Sequence, residues 1–496
     1  MNKSENILAE VFDKNAARLG SKIAIKEKDH SWSYSQLLSR SEDLSESLAS
    51  LGMKGGSRVG VMIPNSGSLV ASFFSIARIG GTISPFNIRF RRQELLYYIR
   101  DTSASTLLVD SNSLVYVKEA LSQNETTPTL VEVRPDGTFQ IVQEGKMENI
   151  STLNNKDPPL LLQYTSGSTG NPKRVIRTQR QLLRELESLA TVFDLVESDR
   201  FLGAAPFSHV NGMVRTMMTS MFVGGTLYPV PEFKRREILN LITEEKITYF
   251  GGVPYMYVIL AATPIRGEIN LASIHTAFSS SAPLLPDDNR RFAKKYGFFI
   301  RQLYGSTETG TISVNTDPNL ESSMESVGLP LEGVRIEIFN DEGKCLSAGQ
   351  EGEVAISSPF AITAYENNSE ANAESFRDGF YLSGDLGVKD DRGFLKLTGR
   401  KKFLINRGGY EVNPYEVEIA VKTHPKVQEV VVLGAPTRHG DQMIRCVVVT
   451  NSPCKEEEII EHCRSRIADF KIPSIVEFVE ELPKSQTGKI LRQKLD

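Results

Sequence analysis

From Ser31 to about Val314, short apolar runs alternate with amphipathic segments, and this tempo narrows the fold more than any other feature of the chain. Arg58-Val59-Gly60-Val61-Met62-Ile63-Pro64 is followed by Leu69 to Arg78 and then by Gly80 to Pro85. Strand, helix, strand at this spacing predicts parallel α/β sheets, because a parallel crossover needs a helix-length connection. After about Gly328 the texture changes. Val334-Arg335-Ile336-Glu337-Ile338, Gly352-Glu353-Val354-Ala355-Ile356 and Gly379-Phe380-Tyr381-Leu382 alternate between Gly and Asp turns, which predicts a small antiparallel, barrel-like β unit. Beyond Gly399-Arg400-Lys401-Lys402 the pattern predicts a helix from Pro414 to Thr423, β runs from Val427 to Leu433 and Cys446 to Thr450, and a helix from Glu456 to Ala468. The expected architecture is a large N-terminal domain over residues 1–399, parallel α/β sheets plus the β unit, and a small α+β domain over 400–496.

Charge removes some function classes. Across 496 residues, 57 basic and 61 acidic side chains leave a formal net charge of −4, with no positive excess to draw the chain onto nucleic acid. The four cysteines, Cys345, Cys446, Cys454 and Cys463, show no C-x2-C spacing, which argues against a zinc knuckle, a redox pair or a disulfide scaffold and favours a reducing compartment. The first twenty residues lack the basic head and apolar run of a signal peptide and read as an ordinary helix. Arg78 closes the longest apolar stretch, Leu69 to Ala77, well short of the roughly 18 residues a membrane span needs. The cytoplasm is the expected location.

Tyr164-Thr165-Ser166-Gly167-Ser168-Thr169-Gly170-Asn171-Pro172-Lys173 follows the apolar run Leu160-Leu161-Leu162. A chain that leaves a strand into hydroxyls, glycines and a lysine can aim N–H and O–H donors at a phosphate. The run is not a Walker A loop, and no G-x-G-x-x-G opens a dinucleotide fold. Taken alone it reads equally well as an exposed flexible loop.

In this order with other segments, the loop resembles the signature of the adenylate-forming superfamily: acyl-CoA synthetases, aryl-CoA ligases, peptide adenylation domains and beetle luciferases. The ordered set comprises Trp32-Ser33-Tyr34, Pro206-Phe207-Ser208-His209, Ser281-Ala282-Pro283-Leu284, Tyr304-Gly305-Ser306-Thr307-Glu308, Tyr381-Leu382-Ser383-Gly384-Asp385, Gly399-Arg400 and Pro483-Lys484-Ser485-Gln486-Thr487-Gly488-Lys489. Arg174 departs from it, standing where a glycine is usual, and is expected to stiffen the loop's exit.

The resemblance implies ATP, Mg²⁺ and coenzyme A. It places Thr165, Ser166, Gly167, Ser168, Thr169, Gly170 and Lys173 at the phosphates, and Ser281, Ala282, Pro283, Gly305 and Ser306 along the nucleotide. Tyr304 would pack on adenine, Thr307 donate to a phosphate and Glu308 ligate Mg²⁺, a hard cation suited to carboxylate oxygen. Asp385 would accept the ribose hydroxyls beside Arg400, although the two could equally form a plain surface pair. Lys489 would be the catalytic lysine of adenylation, an ammonium between two anions that must approach each other. Lys402 would be a hinge, and Gly408 and Gly409 would border the pantetheine path in a second pose of the mobile small domain. His209 would gate the carboxylate pocket without acid–base work, since the acid is already ionised at neutral pH.

Within the family, Phe207-Ser208-His209-Val210-Asn211-Gly212-Met213 offers no aspartate for a substrate ammonium, which disfavours an amino acid. The other expected pocket segments, Tyr249 to Pro254, Ser279 to Pro283 and Thr309 to Val314, carry no charge and suit a fatty or aryl tail, with Gly251-Gly252 leaving room for its length. Arg215 could select a dicarboxylate, although the helix surface is the commoner place for an arginine. The expected reaction joins a fatty or aryl carboxylic acid to coenzyme A through acyl-AMP. A carrier-protein phosphopantetheine as acceptor, a homodimer, and a non-catalytic nucleotide-binding protein stay open as alternatives.

Overall fold

Leu160, Leu161 and Leu162 are fully buried in the strand Pro159–Thr165, as a strand covered on both faces requires. The computed structural model describes residues 7–122, 127–145, 157–165, 172–407, 410–437, 442–485 and 488–495. They divide into two units: residues 1–324, 330–334 and 358–379, and residues 325–329, 335–357 and 380–496.

The first unit is built on two sheets. One runs in the order Phe139–Gln143, Thr129–Val133, Thr106–Asp110, Arg58–Met62, Thr82–Pro85, Pro159–Thr165, Lys173–Thr178, with antiparallel pairs only at its two ends. The other runs through Gly310–Val314, Arg301–Ser306, Thr276–Ser279, Tyr249–Gly252, Arg200–Gly203, Thr226–Pro229, Ile23–Lys26 and Ser31–Ser33, parallel except at the first and last pairs. The expected strand, helix, strand unit is present as Arg58–Met62, Gly67–Arg78 and Thr82–Pro85. Its helix is buried from Gly67 to Ala77 as a core helix. No helix among the described residues is long and apolar enough to cross a membrane.

Trp32-Ser33-Tyr34 is a helix start. Ser33 caps the helix Tyr34–Ser50 in a reciprocal capping box with Gln36, and the buried Tyr34 hydroxyl donates to the Gly225 carbonyl at 2.8 Å.

Gly251 and Gly252 do not leave room for a substrate tail. A Cβ on Gly251 would sit 2.5 Å from Phe278 Cζ, and one on Gly252 2.9 Å from the Tyr257 ring. Both glycines admit core aromatics, and the Phe278 ring is itself stacked on Phe193 at 5.5 Å. Gly251→Ala is therefore expected to destabilise the first unit by about 1–3 kcal/mol through overpacking. Its unfolding midpoint in urea, compared with that of the parent chain, measures the loss.

In the second unit, Arg335–Phe339, Gly352–Ser357, Phe380–Lys389 and Leu395–Arg400 pair antiparallel in that order. The sheet Val427–Pro436, Gln442–Thr450, Ile475–Phe478 follows, packed with the helices Pro414–Lys422 and Glu456–Arg464 on a core that includes Val417, Val432, Cys446 and Ile459. Asn413 joins the two parts. Its Oδ1 caps the helix by accepting from the Tyr415 amide at 3.0 Å, while its Nδ2 donates to the Thr398 carbonyl at 2.7 Å. The last helix ends at Arg464, short of the expected Ala468, because the chain turns at Ser465 and sends Ile467, Phe470 and Ile472 back onto the core. All four cysteines are free thiols.

Candidate active site

The Ser/Gly/Thr run connects two paired strands. Thr165 ends one strand and sits in register with Lys173, which begins its antiparallel partner. Ser166, Gly167, Ser168, Thr169 and Gly170 lie outside the described residues. The exit is pinned by Arg174, whose Nε donates to Asp101 Oδ2 at 2.8 Å and Nη1 to Glu366 Oε2 at 2.9 Å, while the Tyr164 hydroxyl donates to the same Asp101 oxygen at 2.6 Å. Charge-assisted bonds of this kind anchor Arg174 to two other segments of the first unit.

Lys173 and Glu308 are brought together by a residue that sequence reasoning missed. Lys173 Nζ lies 4.8 Å from the centroid of the Tyr365 ring, and the Tyr365 hydroxyl donates to Glu308 Oε1 at 3.0 Å. Glu308 is 6% exposed, which sets it apart from an ordinary solvated turn glutamate. The Ile362 amide donates to its carbonyl at 2.8 Å and fixes the turn from the other side. Nothing in the pattern around Ile362-Thr363-Ala364-Tyr365 marks Tyr365 in advance.

Tyr304, Gly305 and Ser306 end the strand Arg301–Ser306, half-buried, with a register shift between Tyr304 and Gly305 that re-aims the chain before the turn. Ser306 and Thr309 close that turn: the Ser306 amide donates to Thr309 Oγ1 at 3.1 Å and the Thr309 amide to Ser306 Oγ at 3.2 Å, with Thr307 and Glu308 between them. Ser281, Ala282 and Pro283 are exposed beyond the strand Thr276–Ser279. Ser281 has φ 73°, a left-handed conformation that costs a non-glycine residue roughly 1–2 kcal/mol and is often found at binding sites. His209 opens the helical segment after Phe207, and desolvation by surrounding protein holds its imidazole below the ordinary range, which favours the neutral form.

Arg215 is not on a helix surface. It is 3% exposed, with Nε donating to Thr311 Oγ1 at 2.8 Å and Nη1 to Ser280 Oγ at 3.2 Å. Two segments expected to be uncharged thus hold a guanidinium between them. Thr311 in turn donates to Glu185, which faces Arg177 at 2.6 Å, and both members of that pair are buried. Neither Arg177 nor Glu185 stood out as functional, although each interrupts an apolar face: Arg177 shares a strand face with Val175, and Glu185 lies in the stripe Leu182, Leu186, Leu189.

In the second unit Asp385 and Arg400 are cross-strand neighbours, with Arg400 Nε donating to Asp385 Oδ1 at 2.5 Å. Lys402 lies in the short turn Lys401–Phe403 directly after that strand, its Nζ 4.9 Å from the Phe403 ring. Gly408 and Gly409 lie outside the described residues. Lys489 is exposed in a turn closed by its own backbone: its carbonyl accepts from the Ser485 amide at 2.8 Å and its amide donates to Ser485 Oγ at 3.2 Å.

Residues 12–366 match the AMP-binding enzyme family, and residues 416–489 match the AMP-binding enzyme C-terminal domain. The chain belongs to the AMP-binding enzyme family and is of the acyl- or aryl-CoA synthetase type. It is 30% identical to a long-chain-fatty-acid–CoA ligase of Bacillus subtilis, over 98% of this chain and 94% of that one. It is likewise 30% identical to an oxalate–CoA ligase of Arabidopsis thaliana, over 92% of this chain and 91% of the relative. Among solved structures, ATP-bound MatB from Rhodopseudomonas palustris superposes with a TM-score of 0.88 at 27% identity, covering 98% of each chain.

Proposed function

We propose that the chain activates a carboxylic acid with ATP and passes the acyl group to coenzyme A. The carboxylate oxygen bonds to the α-phosphorus as the bond to pyrophosphate breaks; the thiol then attacks the acyl carbon and AMP leaves. The observation that carries this reading is the Lys173–Tyr365–Glu308 assembly, which sets a cation and a buried carboxylate beside the ends of a phosphate-type loop. Glu308, a hard oxygen donor oriented by the Tyr365 hydroxyl, fits Mg²⁺, which when bound would offset phosphate charge.

Thr165 and Lys173 bind the phosphates, together with the loop they bracket, and Thr307 adds a donor. Tyr304 packs on adenine, flanked by Ser281, Ala282, Pro283, Gly305 and Ser306. Asp385 receives the ribose while Arg400 holds its orientation. A rotation at Lys402 moves residues 400–496 and alternately presents Lys489 to the carboxylate and α-phosphate or Gly408 and Gly409 to the thiol arm. His209 borders the acid. Arg215 is engaged by Ser280 and Thr311, which supports an uncharged fatty or aryl tail over a dicarboxylate.

Tyr365→Phe keeps the ring beneath Lys173 and removes the donor that orients Glu308, so adenylation is expected to fall about tenfold with the fold intact. Carboxylate-dependent ATP–pyrophosphate exchange reads this directly. The function itself is tested by offering fatty, aryl, short and dicarboxylic acids with ATP and either coenzyme A or a holo-carrier protein. Acyl-CoA and AMP formed from a fatty or aryl acid are expected; thioester on the carrier alone would transfer the reading to a carrier-loading enzyme.

A further inference from the structure

Arg215 lies in a π-helical turn, Met213–Met218, of the helical stretch that His209 begins. Two hydroxyls mark the wide turn by reaching back five residues, Thr216 Oγ1 to the Asn211 carbonyl at 3.4 Å and Thr219 Oγ1 to the Val214 carbonyl at 2.8 Å. Such turns shift the helical phase and often mark functional positions. Here the side chain is turned into the protein. Its fork spans two other segments, Thr311 through Nε and Ser280 through Nη1, and Nη2 lies so close to Gly305 that a Cβ there would be 2.6 Å away. The Tyr249 hydroxyl holds the Arg215 carbonyl at 2.5 Å.

The anchor of this fork is charged. Glu185 Oε1 accepts from the Thr311 hydroxyl at 2.7 Å and the Thr311 amide at 2.8 Å, while its Oε2 faces Arg177. Burial alone would raise the Glu185 carboxyl, but Arg177 and Arg215 outweigh it and hold it below the usual carboxylate range. Gly310 belongs to the same device, since a Cβ there would lie 2.6 Å from Glu185 Oε2. Three segments of the candidate site therefore meet at one guanidinium: the helix after His209, the Ser280–Pro283 stretch, and the Gly305–Thr311 turn that carries Thr307 and Glu308.

We propose that Arg215 is a positioning residue of the ligase site, tying these three segments into the single geometry that adenylation needs. The inference rests on the ligase reading for the reaction it serves. Arg215 touches neither ATP nor the acid in this account; it acts through Ser280, Thr311 and Gly305. A lysine would keep the charge but cannot span two acceptors with a planar fork.

Arg215→Lys is tested by amide hydrogen exchange and by ATP–pyrophosphate exchange on the same preparation. The expected result is faster amide exchange in both the Ser279–Leu284 and Gly305–Thr311 stretches. With it, kcat should fall about tenfold or more while KM for ATP stays within about threefold, the signature of lost transition-state geometry. Should the lysine variant fail to fold, Ser280→Ala removes one oxygen only and is expected to loosen Ser279–Leu284 while sparing Gly305–Thr311. Unchanged protection in both stretches, or activity lost only in proportion to the folded fraction, would overturn the proposal. A parent enzyme without acid-dependent exchange would instead refute the ligase reading, while amide protection would still decide whether Arg215 couples the segments.

Discussion

Lys489→Ala is expected to lower carboxylate-dependent ATP–pyrophosphate exchange by about 10²–10³-fold, the scale seen when one preorganised transition-state donor is removed. The reacting partners are both anions, and charge accumulates as the α-phosphorus becomes five-coordinate. An ammonium placed there stabilises the transition state more than either reactant alone, so its loss falls on kcat. The turn should survive the change, because it is closed by the Lys489 carbonyl and amide with Ser485, groups that alanine retains. Coenzyme A attack on supplied acyl-AMP should proceed at nearly the parent rate if, as proposed, the small domain adopts a second pose for that half-reaction. Equal loss of both half-reactions would contradict a two-pose mechanism.

Glu308→Gln is expected to reduce adenylation by about 10–100-fold and to raise the Mg²⁺ concentration needed for half-maximal exchange. Glutamine retains an oxygen able to accept from Tyr365 at the 3.0 Å position, and the Ile362–Glu308 backbone bond does not involve the side chain. Packing is therefore preserved while the charge is lost. A Mg²⁺ titration of exchange with both enzymes measures the effect; superimposable curves would remove Glu308 from the metal's environment.

Much of this fold is legible because burial writes itself into sequence. Strands covered on both faces read as runs such as Leu160-Leu161-Leu162, and the helix from Gly67 to Arg78 stands between two of them at crossover spacing. Boundaries are less legible where the tertiary core competes with local pattern, as at Arg464, where the helix stops so that Ile467 and Phe470 can return to the core. Glycines mislead for the same reason: Gly251 looks like space, and only the fold shows that Phe278 fills it.

The ordered motifs single out the candidate residues, and the structure sets Thr165 opposite Lys173 and Asp385 opposite Arg400 across paired strands. What pattern could not supply is polar contact between segments far apart in the chain. Tyr365 carries no local signal, and its importance is only that it touches both Lys173 and Glu308. A helix surface is the commoner place for an arginine, whereas Arg215 lies in a π turn and is buried, and no local pattern announces such a turn. The buried ionic group of Arg177, Glu185 and Arg215 could have been suspected from charges that interrupt apolar faces, a pattern that is costly unless the charges are paired.

The central claim is that the acid's own oxygen bonds to the α-phosphorus of ATP before the thiol reacts. Its most direct test is a turnover with a carboxylic acid labelled with ¹⁸O in both carboxyl oxygens, followed by mass spectrometry of the nucleotide and phosphate products. AMP carrying one acid-derived oxygen, with unlabelled pyrophosphate, is the predicted result. Label in inorganic phosphate alongside ADP, or AMP free of label, would contradict it.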